Sequence, residues 1–336
     1  MDLFIPEVAY INPQALKHPL GNEAYQYLKS LGVPIIESNR VSIDTDSPVK
    51  NYVKAKKTIL LTVSKQKKLQ QCKPSADYQF ALSSSCPGHC EYCYLQTTQG
   101  EKPYMRLFVN IEEILENIQE YIDGNKPNIT TFEAASITDP VGLDHITRAL
   151  EKCITYFGES SHGRLRLVTK FDHVDPYLKL PHNGHTTFRF TINTQWVIKN
   201  FEHHTSSAHE RVEGAKKIAH ANYPLGFIIA PIMLYDHWEK DYKDLLEELS
   251  LALKDYEKPI GFELIQHRFT SKAKDLILQR FPNTKLNLDE ESRKLKWGPY
   301  GQFKYVYPKE KSDYMRDYLT GLIKDLFPNG RIEYFT

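Results

Sequence analysis

Residues 83–95 read SSSCPGHCEYCYL and place three of the chain's five cysteines, Cys86, Cys90 and Cys93, within eight residues. This C-x3-C-x2-C loop follows a β-prone run at residues 78–83, the first of several strand-like runs that alternate with amphipathic helical ones. Alternating β and α elements predict parallel strands with helical crossovers, hence a doubly wound sheet or a full or partial barrel. In such folds the loop after a strand lies at the strand's carboxyl end, where active sites sit.

The alternation continues along most of the chain. Helices are predicted at residues 111–122, 142–157 and 242–253, and further strands at residues 128–134, 165–169, 186–192, 225–232 and 260–264. Residues 1–75 are predicted to be an N-terminal extension packed on the barrel, and residues 76–336 the barrel itself.

A β-hairpin is predicted near residues 293–307, where two β-prone arms flank the turn residues Pro299, Tyr300 and Gly301. Aromatic and basic residues interleave along both arms, which suits stacking on bases and contact with phosphates. An ordinary edge hairpin protected by lysines has a similar pattern, so both interpretations stay open.

The composition is that of a globular protein, with 41% hydrophobic and 25% charged residues. The longest apolar run, residues 225–234, is too short to cross a bilayer, and the N-terminus has no secretory pattern, so we expect a cytoplasmic protein with no membrane partner. The net charge of +1 gives no indication about nucleic acid. Residues 50–68 carry seven lysines and no acid, which we interpret as a solvated face.

The odd number of cysteines and their crowding indicate a reducing compartment and a metal or redox role. Three thiolates can hold three irons of a [4Fe–4S] cluster and leave the fourth iron open. Structural zinc is the competing interpretation, with His89 or Cys72 as the fourth ligand. Zinc motifs usually come as two paired half-sites, and no second C-x2-C or H-x3-H exists, so the spacing favours iron–sulfur. A zinc-stabilised nucleic-acid-binding protein without catalysis remains the alternative from another class.

The cysteine spacing, with Tyr92 before the last cysteine, resembles the signature of the radical S-adenosylmethionine enzymes. Further segments together resemble the spore photoproduct lyase family from about residue 72 to residue 307: residues 72–75 (CKPS), 91–95 (EYCYL), 132–135 (FEAA), 139–142 (DPVG) and 304–307 (KYVY). This resemblance implies an α/β fold built as a partial (β/α)6 TIM-like barrel with an N-terminal extension and a C-terminal β-hairpin.

The same resemblance implies a light-independent DNA-repair lyase, a carbon–carbon lyase that acts in the spore core on duplex DNA containing a thymine dimer. Because nothing in the sequence resembles a coiled coil or a large exposed apolar patch, we expect a monomer. A 5′-deoxyadenosyl radical would remove hydrogen from C6 of the saturated thymine, and the dimer would revert to two thymines. The implied cofactors are a [4Fe–4S] cluster and S-adenosylmethionine, and the implied partners are the damaged duplex and an unidentified electron donor. A radical S-adenosylmethionine enzyme with another substrate is the alternative within this chemistry.

The resemblance also assigns roles to individual residues. Cys86, Cys90 and Cys93 would hold the cluster. Tyr92 and Tyr94 would return the radical, although aromatic packing is an equal alternative for Tyr92. The expected S-adenosylmethionine contacts are Lys170, Thr138, Thr191 and Glu133, and the expected DNA contacts are Arg268, Lys304, Tyr305, Tyr300 and Lys296.

The sequence departs from the family pattern at Ser136, where the hydrogen-donating cysteine is expected. A serine O–H bond is far stronger than a thiol S–H bond, so Ser136 should not donate a hydrogen atom to an allylic radical. Either the position is engineered, another thiol substitutes, or the substrate differs. We expect Cys72 to substitute, because Cys153 lies on the apolar face of a predicted helix, where buried cysteines are usually inert.

Overall fold

The computed structural model describes residues 1–134, 136–298, 301 and 303–336. The strands that the described residues form, numbered in chain order, are β1 (Val8–Ile11), β2 (Ile35–Glu37), β3 (Thr58–Thr62), β4 (Gln70–Cys72), β5 (Ala76–Gln79), β6 (Ser83–Ser84), β7 (His89–Cys90), β8 (Met105–Phe108), β9 (Thr130–Glu133), β10 (Gly163–Thr169), β11 (Thr186–Ile192), β12 (Glu202–His203), β13 (Leu225–Ile232), β14 (Ile260–Gln266), β15 (Lys294–Trp297), β16 (Phe303–Val306) and β17 (Gly330–Phe335). The α-helices are α1 (Pro19–Ser30), α2 (Pro48–Ala55), α3 (Leu95–Thr98), α4 (Ile111–Asn125), α5 (Asp144–Thr147), α6 (Ala149–Glu159), α7 (Gln195–Phe201), α8 (Ala208–His220), α9 (Trp238–Ala252), α10 (Ser271–Arg280) and α11 (Lys309–Leu326).

The largest sheet is the predicted partial barrel. In the described part of the chain it has eight strands in the order β17-β14-β13-β11-β10-β9-β5-β4. Every neighbouring pair from β5 to β17 is parallel, and β4 runs antiparallel at one edge. Because the connections between parallel strands must return to the opposite end, helices α4, α6, α8, α9 and α11 fall between them in the sequence and pack outside the sheet. The α/β partial-barrel prediction is confirmed.

A second sheet contains the strand that leads into the cysteine loop. Its order is β2-β1-β3-β8-β6, so it joins strands from the first 62 residues with β6 and β8 from beyond residue 75. The predicted single strand at residues 78–83 is wrong, because β5 lies in the barrel sheet and β6 in this second sheet. The division of the chain at residue 75 stays a prediction.

The predicted helix at residues 142–157 is interrupted at Arg148. This residue has the left-handed backbone angles φ 55° and ψ 24° and separates α5 from α6. The Asp144 side chain accepts a hydrogen bond from the Leu150 backbone N–H at 2.7 Å, so a carboxyl oxygen takes the place of a helical carbonyl there. The apolar face predicted around Cys153 is buried on α6.

The predicted hairpin is present as the antiparallel pair β15 and β16, with Trp297 opposite Phe303. Backbone hydrogen bonds between Phe269 and Tyr305 attach it just beyond the carboxyl end of β14. The hairpin therefore lies at the same end of the barrel strands as the loops that follow them. Among the described residues, no helix is both long and apolar enough to cross a membrane.

Candidate active site at the cysteine cavity

Cys86, Cys90 and Cys93 line one cavity of about 180 Å³, called the cysteine cavity below. All three are free thiols. The other residues that line it are Tyr52, Lys56, Ser85, Gly88, Tyr94, Leu95, Gln96, Pro103, Thr138, Asp139, Val168, Lys170, Phe171, Thr191 and Thr205. They come from the cysteine loop, from the segments at the carboxyl ends of β9, β10 and β11, as expected for a βα site, and from other segments that include α2. No three described His, Cys, Asp or Glu side chains converge on a point where they could hold a single metal ion.

The cysteine loop is held by contacts with segments distant in the sequence. A short antiparallel pair joins β7 to β12, with Cys90 opposite Glu202. The buried Glu91 accepts hydrogen bonds from His203 at 2.7 Å and from the Thr284 hydroxyl. A Cβ on Gly88 would come within 2.9 Å of the Thr205 methyl group, so any side chain there would displace Thr205. These contacts position the cysteine loop against the rest of the protein.

Lys56 lies against the same loop although the sequence suggested a solvated lysine. Its side chain is 5% exposed, and its Nζ donates to the carbonyl oxygens of Cys86 and, at 2.7 Å, of Gly88. Burial lowers the pKa of Lys56, and the negative charges available to the three cysteines oppose that shift. The solvated-face interpretation is therefore wrong for this one lysine of the basic run.

A buried charge network adjoins the cavity around Glu202. This carboxylate accepts hydrogen bonds from Arg211 at 2.5 Å, from Lys170 at 3.3 Å and from the Tyr92 hydroxyl. Burial alone would raise the pKa of Glu202, but Arg211 and Lys170 outweigh it and hold the pKa at about 2. Burial and the Glu202 charge raise the pKa of Tyr92 well above its ordinary value. Tyr92 is therefore a neutral phenol bonded to a carboxylate.

The residues expected to contact S-adenosylmethionine divide into two groups. Lys170, Thr138 and Thr191 all line the cysteine cavity. Glu133 is absent from its lining and lies in a separate network, where it pairs with Arg189 and accepts a 2.8 Å hydrogen bond from Ser75. Three of the four predicted contacts thus surround the cavity.

Asp139 is a cavity residue to which the sequence gave no role of its own. It accepts hydrogen bonds from the Thr169 hydroxyl at 2.9 Å and from the Lys170 backbone N–H at 2.7 Å. Burial raises its pKa to about 6 despite these bonds. It lies in the DPVG motif, which was the only sequence signal for it.

The two tyrosines occupy different environments. Tyr94 lines the cavity and is 57% exposed, whereas Tyr92 lies half-buried beneath Lys170, whose Nζ is 5.7 Å from the ring centroid. Because both flank Cys93 in the sequence, the loop places one phenol towards solvent and the other in the charge network.

The two candidate positions for the hydrogen donor lie on neighbouring segments. Cys72 ends β4 and is paired with Ala76 of β5, while Ser136 is half-buried in the turn after β9. Strand β5 pairs directly with β9. Burial raises the pKa of Cys72, which keeps it as a thiol at neutral pH. Neither residue is among those that line the cysteine cavity.

The predicted DNA-contacting residues lie on and beside the hairpin. Arg268 and Lys296 are exposed, Lys304 is half-buried, and Tyr305 stacks on the Phe269 ring with 5.2 Å between centroids. Tyr300 falls outside the described residues. The described part of the hairpin also exposes Trp297, Phe303 and Leu295, each by more than half. This surface combines cations with exposed apolar rings.

Sequence reasoning missed Lys56, Glu202 and Arg211. For Arg211 a signal exists: it lies at helical spacing from Ala215 and Ile218, so a charge interrupts the apolar face of α8. Nothing in the sequence distinguishes Lys56 from its neighbours or pairs Glu202 with Arg211.

Comparison with protein-family models finds that the model described as spore photoproduct lyase matches residues 4–336. The chain is 48% identical to the spore photoproduct lyase of Bacillus subtilis (strain 168) over 338 residues, covering 99% of both chains. It is 42% identical to the spore photoproduct lyase of Clostridium acetobutylicum over 324 residues, covering 96% of both.

Solved structures give the same result. The chain is similar to a spore photoproduct lyase complexed with dinucleoside spore photoproduct, with a TM-score of 0.96. It is also similar to a double mutant of spore photoproduct lyase with bound AdoMet and dinucleoside spore photoproduct, with a TM-score of 0.95. In both comparisons the sequence identity is 45% and all of each chain is covered.

Proposed function

Since the chain belongs to the spore photoproduct lyase family, we propose that it reverts the spore photoproduct to two thymines by radical S-adenosylmethionine chemistry. The observation that carries the proposal is the cysteine cavity, which joins Cys86, Cys90 and Cys93 to the carboxyl ends of the barrel strands. The reaction is a carbon–carbon bond cleavage, so the protein is proposed to be a carbon–carbon lyase.

The cavity suits a [4Fe–4S] cluster with one open iron. Three thiols that bind three different irons need to surround a space rather than converge on one point, and Cys86, Cys90 and Cys93 line such a space. Burial raises the pKa of Cys86 to about 12 in the protein alone, so binding metal must supply the positive charge that deprotonates it. The cluster is proposed to be held by these three cysteines and no others.

S-adenosylmethionine is proposed to bind in the same cavity beside Lys170, Thr138 and Thr191. When bound, the cluster and S-adenosylmethionine supply the radical that starts the reaction. Lys170 offers an ammonium group for the ligand's carboxylate, and the 3.3 Å contact with Glu202 fixes where that group lies. Glu133 is proposed to act from outside the cavity, through its bond with Ser75.

Cys72 is proposed to be the hydrogen donor in place of Ser136. Its S–H bond would break homolytically, the hydrogen atom would form a C–H bond on the thymine methyl radical, and sulfur would be left as a thiyl radical. The hydroxyl group of Tyr92 or Tyr94 would then give one hydrogen atom back to that sulfur, and the tyrosyl radical left behind would regain a hydrogen atom from 5′-deoxyadenosine, which returns the radical to the cofactor. The Ser75–Glu133 hydrogen bond supports this role, because it ties the segment that follows Cys72 to the strand that leads to Ser136.

Damaged duplex DNA is the proposed partner, with Arg268, Lys296 and Lys304 on phosphates and the hairpin aromatics at the lesion. Tyr305, fixed by its stack on Phe269, would support the hairpin, and Tyr300 is proposed as a DNA contact from the sequence alone. A flipped dimer leaves a gap that an inserted turn can fill, and damaged bases cost less to extrude than normal pairs. The protein is proposed to act as a monomer in the spore core with a separate electron donor.

The test is an anaerobic assay of the reconstituted protein with S-adenosylmethionine, dithionite and dinucleoside spore photoproduct, followed by chromatography. We expect two thymine nucleosides to form, and Cys86→Ala, which removes one cluster ligand, to form none. Cleavage of S-adenosylmethionine with no change in the dimer would keep the radical chemistry and contradict the substrate.

The donor is tested by comparing Cys72→Ala with Cys153→Ala in the same assay with sulfite present. Cys153 lies on α6 and is fully buried, so Cys153→Ala is the control that also removes one thiol. We expect Cys72→Ala to divert product into a sulfite adduct, and Cys72→Ala/Ser136→Cys to restore thymine recovery. An unchanged product profile in Cys72→Ala would contradict the donor assignment.

A further inference from the structure

Lys56 is a buried cation that bonds to neutral groups. It follows the last residue of α2, is 5% exposed, and within the described part of the chain donates only to the carbonyl oxygens of Cys86 and Gly88. No carboxylate of the described residues lies within ion-pair distance of its Nζ. The next residue, Lys57, points outwards and pairs with Glu7 at 2.6 Å. Adjacent lysines of one segment thus have opposite environments.

An unpaired buried ammonium is costly, because transfer from water removes solvation that neutral carbonyl groups only partly replace. Arg280 adds a second cation nearby, since its guanidinium donates at 2.6 Å to the carbonyl oxygen of Gln96, which lines the same cavity as Lys56. Lys56 lines the cysteine cavity together with Cys86, Cys90 and Cys93, and its Nζ donates to the Cys86 carbonyl oxygen. The missing anion must therefore lie on the cysteine side of Lys56.

We propose that Lys56 is the counter-ion of the metal cluster held by Cys86, Cys90 and Cys93, and that its charge favours one-electron reduction of that cluster. This inference rests on the proposed function. Three thiolates contribute three negative charges and an oxidised [4Fe–4S] core two positive ones, so the assembly carries one net negative charge and gains a second on reduction. A fixed cation at the loop stabilises the reduced form more than the oxidised form.

The charge and the hydrogen bonds of Lys56 can be separated by substitution. Lys56→Gln keeps an N–H donor but loses the charge, Lys56→Met loses both, and Lys56→Arg keeps the charge. Lys57→Met is the matched control. It also removes one positive charge, but from the neighbouring lysine, whose side chain pairs with Glu7 at the surface.

The experiment measures iron per chain and the midpoint potential of the reconstituted cluster by redox titration monitored by electron paramagnetic resonance. We expect Lys56→Gln and Lys56→Met to disfavour reduction at least tenfold, a fall in potential of about 59 mV for one electron. The midpoint potential of Lys56→Arg should stay near that of the wild type, and the potential of Lys57→Met should equal the wild-type value. Full iron loading with an unchanged potential in both uncharged variants would overturn the proposal.

Failure to load iron is also decisive. If neither uncharged variant holds the cluster while Lys56→Arg does, the positive charge is required for assembly, which supports the counter-ion role. If Lys56→Arg fails as well, the side chain has only a shape-specific structural role and the proposal is wrong. Wild-type protein that binds no iron would instead contradict the proposed function.

Discussion

Arg211→Met should remove the main electrostatic support of Glu202. Arg211 is fully buried on α8, and its guanidinium donates to Glu202 at 2.5 Å, to the Thr191 carbonyl at 3.0 Å and to the Ser206 carbonyl at 2.9 Å. Methionine fills similar volume but donates nothing. The variant would therefore leave a buried carboxylate with Lys170 as its remaining cation and two buried carbonyls without this donor.

Two estimates of the loss in the free energy of unfolding give similar magnitudes. Breaking one side of a buried ion pair costs about 3–5 kcal/mol. Independently, Glu202 has a pKa of about 2 instead of its ordinary 4.5, and each tenfold change in proton affinity corresponds to about 1.4 kcal/mol. The second estimate gives about 3 kcal/mol at neutral pH for all partners of Glu202 together. We expect Arg211→Met to lower the free energy of unfolding by about 3 kcal/mol.

Urea unfolding followed by tryptophan fluorescence measures this loss at pH 7. Lys217→Met is the control, because it removes a cation from the same helix but from a surface pair with Asp175 that should contribute at most about 1 kcal/mol. Since the pKa of Glu202 is lowered in the folded protein, ionised Glu202 stabilises the fold. This contribution to the free energy of unfolding is present above pH 4.5 and is lost as the pH falls towards 2. The difference in the free energy of unfolding between wild type and Arg211→Met should therefore become smaller as the pH falls from 4.5 to 3. A loss in the free energy of unfolding no larger than that of Lys217→Met would show that Arg211 is not the main support of Glu202.

Three further predictions concern other parts of the molecule. Gly158→Ala should destabilise the protein by about 2 kcal/mol or more in urea unfolding, because its Cβ would lie 1.9 Å from the Pro181 carbonyl oxygen. Gly124→Ala on α4 is the control, since its Cβ would meet nothing within 4 Å and should not destabilise the protein. Burial raises the pKa of Asp144 to about 7, so the free energy of unfolding should fall as the pH rises from about 4 to 7. Asp144→Asn should lack this pH dependence, and the same pH dependence in wild type and variant would contradict the prediction. Tyr92→Phe should lower thymine recovery while leaving iron content unchanged, and unchanged recovery would leave Tyr92 with a packing role only.

The parts of the fold that follow from local pattern were predictable from sequence. Strands β10, β11 and β13 match their predicted positions because their apolar runs are bounded and buried. The cysteine loop was recognisable because its ligand spacing is local. The break at Arg148 was not predictable, since it depends on one side chain, Asp144, accepting a backbone hydrogen bond.

The parts of the site that depend on long-range contacts were not predictable. Glu202 meets Tyr92 across 110 residues, and Lys56 meets Gly88 across 32. Neither contact leaves a periodic signal, because burial of a charge depends on which distant partner the fold brings to it. The assignment of residues 83–84 to a different sheet from residues 76–79 has the same cause, namely strand pairing decided by tertiary contacts.

In the proposed reaction this chain splits the thymine dimer after hydrogen abstraction from C6. The most direct measurement supplies dinucleoside spore photoproduct deuterated at C6 to the reconstituted protein with S-adenosylmethionine and dithionite, and follows the label by mass spectrometry. We predict that deuterium enters S-adenosylmethionine or 5′-deoxyadenosine as two thymines form. Thymines that form while both adenosyl species stay unlabelled would contradict hydrogen abstraction from C6.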